Sequence, residues 1–95
     1  MNMANVKKTE PTYRIGAVSR LTGVAPDKLR VWERRYQAVV PFRSDAGTCL
    51  YSREDVVRLA MMKYLVDRGD VIGRLANLGR EQLQERAKGT PLGIG

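Results

Sequence analysis

Gly23 and Pro26, three residues apart, do more than any other feature to fix how this chain can fold. Upstream of them, Ile15, Val18 and Leu21 recur at helical spacing, so a first helix is expected over about Gly16 to Thr22. A short extended stub, Tyr13-Arg14-Ile15, leads into it. Gly23 stands where a helix needs a left-handed stop. Pro26 is tolerated where a new helix is only starting, and Asp27 suits that start because the helix dipole favours a negative charge there. A second helix is therefore expected from about Pro26 to Tyr36.

The pattern then changes. Val39-Val40-Pro41-Phe42-Arg43 is short and β-prone, Ser44-Asp45-Ala46-Gly47 is turn chemistry, and Thr48-Cys49-Leu50-Tyr51 is β-prone again. Together they read as a β-hairpin. Ser52-Arg53-Glu54-Asp55 resembles a capping box, with Asp in place of the preferred Glu, and opens the longest helix, about Arg53 to Arg68, closed by Gly69. Val71 to Leu78 supplies a short fourth helix, and Gly79 to Ala87 adds another turn or two anchored by Leu83. The fold class is mostly α with a small β-hairpin wing, a winged helix-turn-helix of about four helices. Residues 1–12 read as a flexible N-terminal arm, 13–87 as the winged-helix domain, and 88–95 as a disordered tail or linker.

Composition narrows the function. The 95 residues make one small domain with a formal charge of +7, which calls for a polyanionic partner, nucleic acid or an anionic membrane surface. No His and a single Cys exclude a zinc finger, a Cys/His metal cage, a His-based triad and a Cys–His dyad. Cys49 has no second Cys to pair with, so nothing calls for an oxidising compartment, and it reads as a half-buried strand residue rather than a redox sensor. No apolar run approaches the roughly 20 residues of a membrane span and no signal-peptide core follows Met1, so a cytoplasmic protein is expected. No nucleophile, base and orienting group can be assembled, so the chain does not read as an enzyme. If the charged face of the second helix is simply solvated, Glu33 can pair locally with an arginine three or four residues away.

The second helix carries the chemistry. At about 100° per residue, Leu29, Trp32 and Tyr36 fall within an arc of about 60° and form a buried stripe. The opposite side presents Asp27, Arg30, Val31 and Arg34, with Lys28 and Arg35 on the flanks. Arginine can bond a guanine edge with two donors or clamp a phosphate, while Val31 lets the backbone approach and can touch a thymine methyl. A charged outer face is also what any solvated helix shows; the tight turn before this helix and the hairpin after it favour DNA. Trp32 is a core residue, and Tyr36 is a core edge whose hydroxyl can reach a phosphate. Arg43 and the amides of Ser44–Gly47 can hold phosphate beside the groove. Met61, Met62 and Tyr64 read as core filling, with a docking patch as the other reading.

Several strings recur in one order: Ile15-Gly16-x-Val18-x-x-Leu21-Thr22-Gly23-Val24, Leu29-Arg30-x-Trp32-Glu33-Arg34-Arg35-Tyr36, Pro41-x-Arg43, Gly47-x-x-x-Tyr51-Ser52 and Asp55-Val56-x-Arg58-Leu59. Over about residues 13–78 the chain resembles the MerR-type winged-helix DNA-binding domain, and the tryptophan-bearing string is most similar to the light- and cobalamin-responsive repressors. The resemblance implies that Arg30, Val31, Arg34 and Arg35 contact DNA from the recognition helix and that Arg43 is the wing arginine. It places Arg14 and Ser19 near phosphate where the stub and first helix meet the backbone.

Two departures stand out. Thr48 and Cys49 occupy positions where relatives carry basic residues, and each missing phosphate contact flattens the salt dependence of binding by roughly one unit of slope. There is no long C-terminal coiled-coil helix and no cobalamin-binding His motif. No cofactor is expected in this chain, and cobalamin would belong to a C-terminal domain outside it. The chain is either an excised N-terminal domain or a stand-alone relative.

The function expected is a sequence-specific transcriptional regulator, a bacterial repressor acting on palindromic double-stranded DNA, homodimeric at full length and monomeric or weakly dimeric as this chain. An excisionase- or transposase-like architectural factor and a winged-helix protein-interaction module remain open on the residues alone.

Overall fold

The structure, a computed structural model, describes residues 10–89. Strand β1 (Pro11–Arg14) runs directly into helix α1 (Ile15–Thr22), and helix α2 (Pro26–Tyr36) follows after the tight turn. Gly23 takes φ 81°, in the left-handed region, and its N–H closes α1 by donating to the Ser19 carbonyl at 2.8 Å. Pro26 occupies the first turn of α2 and Asp27 stands beside it, as the sequence indicates.

Helix α1 buries Val18 and Thr22 rather than Leu21, which is 59% exposed. A buried threonine is tolerated here because its hydroxyl is satisfied locally. Thr22 Oγ1 donates to the Val18 carbonyl at 2.8 Å and accepts from the Val24 N–H at 3.2 Å. Leu29 and Trp32 form the buried stripe of α2, and Tyr36 lies at its edge against Gly73. The helix ends at Gln37, whose φ of 53° is the one left-handed value at a non-glycine residue among those described. That backbone costs about 1–2 kcal/mol. The turn it makes lets the Ala38 N–H reach back to the Trp32 carbonyl at 3.1 Å and puts Ala38 and Val39 into the core.

The expected two-stranded wing is a three-stranded antiparallel sheet ordered β1-β3-β2, with β2 at Phe42–Arg43 and β3 at Cys49–Ser52. Phe42 pairs with Leu50 and Arg43 with Cys49, closed by a turn in which the Gly47 N–H donates to the Ser44 carbonyl at 2.8 Å. Strand β2 starts only after Pro41, which has no N–H to offer a ladder. The extended stub is the third strand: Tyr13 pairs with Tyr51 and Arg14 with Leu50. This strand reaches Pro11, so Pro11 and Thr12 belong to the sheet rather than to a flexible arm; the rest of that stretch, apart from Glu10, lies outside the described residues.

Ser52 and Asp55 make a complete reciprocal capping box, Ser52 Oγ accepting from the Asp55 N–H and Asp55 Oδ2 from the Ser52 N–H, both at 3.0 Å. They open helix α3 (Arg53–Asp67), the central helix, which buries Leu59, Met62 and Leu65 and packs against α1, helix α4 (Ile72–Leu75) and helix α5 (Arg80–Gly89). The described residues thus hold five helices instead of about four, because the final segment is a full helix seated by the buried Leu83. Lys88 and Gly89 end that helix rather than start a tail, and residues 90–95 lie outside the described residues. Met62 is core, whereas Met61 and Tyr64 are half-buried beside Val57, Ala60 and Ala87 in a shallow apolar groove between α3 and α5.

Candidate nucleic-acid interface

Arg30 and Arg34 stand one helical turn apart on the exposed side of α2. Arg14 ends β1 and Arg43 sits in β2, on either side of the central strand. The three-stranded sheet carries both toward α2, and all four arginines line one cleft of about 400 Å³ between helix and wing. Ile15, Glu33, Gly47, Thr48, Cys49 and Tyr51 complete its walls. Such a cleft concentrates positive potential and attracts a polyanion.

Other residues singled out from the sequence are placed differently. Lys28, Val31 and Arg35 are exposed on α2 outside the cleft, and Val31 is 48% exposed, a small apolar spot on a basic helix. Ser19 is half-buried on α1, outside the cleft, with its carbonyl engaged by the Gly23 cap. Arg30 Nη1 lies 3.3 Å from Asp27 Oδ1, but the pair is open to solvent, so it is worth little and leaves Arg30 free to turn toward a ligand.

Glu33 does not pair with a neighbouring arginine. Its Oε2 accepts from the Tyr51 hydroxyl at 2.9 Å, a bond spanning 18 residues that ties α2 to β3. Tyr51 is buried, and burial first, then the Glu33 hydrogen bond and charge, pushes its pKa well above the usual phenol value, so it stays a neutral donor. Only the sheet brings these two residues together, and no local pattern in the sequence announces it. Arg58 is the second residue whose role the sequence hides: its guanidinium donates to the carbonyls of Ala38, Ala76 and Leu78. Among the described residues no group of three or more His, Cys, Asp or Glu could hold a metal ion, and no helix is long and apolar enough to cross a membrane.

A family model described as the MerR HTH family regulatory protein matches residues 13–79. The chain belongs to the MerR helix-turn-helix family. It is 42% identical over 69 residues to the HTH-type transcriptional repressor CarH of Myxococcus xanthus, a match covering 73% of this chain and 23% of that protein. It is 32% identical over 77 residues to the HTH-type transcriptional regulator MlrA of Salmonella typhimurium strain LT2, covering 81% of this chain and 32% of that one. The HTH-type transcriptional repressor CarA of Myxococcus xanthus is 39% identical over 56 residues, 58% of this chain and 19% of its own length. The chain therefore spans a third or less of the curated relatives it matches. These relatives are transcriptional regulators, and the matched region takes in the turn, α2 and the wing.

Proposed function

We propose that this MerR-type domain reads double-stranded DNA with α2 in the major groove while the wing holds the sugar-phosphate backbone. The observation that carries this is the convergence of Arg14, Arg30, Arg34 and Arg43, from three separate elements, on one cleft beside an exposed helix face. Arg30, Val31 and Arg34 read base edges; Lys28 and Arg35 flank them; Arg43 and Arg14 grip phosphate, with Ser19 a backbone contact at the edge of the footprint. In the whole protein the domain acts as a cytoplasmic repressor, paired as a homodimer on a palindromic site whose half-sites mirror the two-fold symmetry. Fluorescence anisotropy of the chain against a duplex from its own upstream region and a scrambled duplex, each at two salt concentrations, tests this. A clear gap between the two duplexes, with affinity falling as salt rises, is the expected result. No binding to either duplex at low salt overturns the reading.

A further inference from the structure

Among the residues lining the arginine cleft, Glu33 is the one carboxylate. It lies between Arg30 and Arg34 in the sequence of α2, yet it forms no ion pair with either; its partner among the described residues is the Tyr51 hydroxyl at 2.9 Å. A surface glutamate beside arginines ordinarily spends its charge on them. Here Glu33 is half-buried and clamped from the core side by a residue only 1% exposed, so a negative charge is held at the wall of a positive cleft.

We propose that Glu33 is a specificity-determining residue, whose anchored carboxylate repels phosphate from Arg30 and Arg34, the arginines beside it on α2, and thereby keeps them for base edges. This rests on the DNA reading of the same cleft. Phosphate carries a full negative charge and is repelled by the carboxylate, whereas a guanine edge is uncharged and is repelled far less. The penalty therefore falls on sequence-independent binding, in which arginines settle on the backbone, and specificity grows by disfavouring the wrong mode.

The test is Glu33→Gln, which removes the charge and leaves an amide oxygen to accept from Tyr51. Affinity is measured for a random-sequence duplex pool and for the best duplex recovered from that pool by the wild-type chain, across a salt series. The expected result is binding to the random pool tightened roughly three-fold or more, a salt slope steeper by up to about one unit, and a smaller ratio between the two duplexes. A purely structural role for the Glu33–Tyr51 bond would not tighten random-pool binding. Should Glu33→Gln fail to fold, Glu33→Met with Tyr51→Phe removes both hydrogen-bond partners, leaves no orphaned donor, and answers the same question. Unchanged or weaker random-pool binding by the folded variant overturns the inference while leaving the DNA reading intact. Wild-type protein that binds no DNA overturns both.

Discussion

Arg58 Nε donates to the Ala38 carbonyl at 2.7 Å, fastening the turn that ends α2 to the central helix α3. The same guanidinium holds the Leu78 carbonyl at 2.6 Å and the Ala76 carbonyl at 2.9 Å, so it also fixes the segment after α4. Three carbonyls in the stretches just after α2 and α4 converge on α3, and the rigid fork of an arginine serves all three. Burial lowers the Arg58 pKa, yet the group stays protonated at any physiological pH. Arg58→Ala is expected to destabilise the domain by about 2–4 kcal/mol, and Arg58→Lys to recover less than half of that, because an ammonium cannot span the three acceptors. Denaturant unfolding followed by circular dichroism measures both. A loss below about 0.5 kcal/mol would remove Arg58 from its place as the clasp.

Local punctuation was legible in the sequence and long-range pairing was not. Gly23, Pro26 and the Ser52–Asp55 box each act on their own neighbours, so the helix boundaries they set match the structure closely. The third strand was hidden because Pro11 to Arg14 acquires its partner about forty residues later, and extended stubs carry no mark of what they will pair with. Which of Leu21 and Thr22 faces inward is not legible, because helical spacing permits either, and the self-satisfied Thr22 hydroxyl is what lets the threonine be the buried one. In the site, the exposed arginines of α2 followed from the helical wheel. Their meeting with Arg14 and Arg43 did not, since it depends on the sheet.

Arg43 and the arginines of α2 are expected to fail differently when removed. Arg43→Ala, on the wing, weakens binding to every sequence alike and reduces the salt slope by about one unit. Arg30→Ala or Arg34→Ala costs about 1–3 kcal/mol on the preferred duplex, much less on a scrambled one, and relaxes the base preference at one position. Anisotropy titrations of each variant on both duplexes separate the two kinds of loss. Equal losses on both duplexes for all the variants would mean that α2 grips backbone rather than bases.

The wing has room for a further phosphate contact. Thr48 lines the cleft next to Cys49, and its backbone is held independently of its side chain: its N–H donates to Ser44 Oγ at 3.1 Å and its carbonyl accepts from the Ser44 N–H at 2.9 Å. Thr48→Arg is therefore expected to leave the turn intact, tighten binding to random and preferred duplexes by similar factors, and steepen the salt slope by about one unit. A slope equal to that of the wild type would show that this part of the wing stands away from the backbone.

Asp70 and Arg86 give the domain a defined acid sensitivity. Arg86 Nε lies 2.6 Å from Asp70 Oδ2 and Nη2 lies 3.3 Å from Oδ1, while the Val71 N–H also donates to Oδ1 at 3.0 Å. The Arg86 hydrogen bond, ahead of the Val71 amide, holds the Asp70 carboxyl below the usual carboxylate range. A carboxyl whose pKa is depressed on folding stabilises the native state above its unfolded value, about 3.9, and that contribution is lost as pH falls through the folded value. Asp70→Asn is expected to melt below the wild type at about pH 7, where the full contribution is present. The gap should persist to about pH 5 and shrink as the wild type is acidified below about pH 4. Thermal unfolding of both proteins across that range checks it. A gap that stays constant into the acid range would trace the difference to lost packing between the α3–α4 turn and α5 rather than to the charge on Asp70.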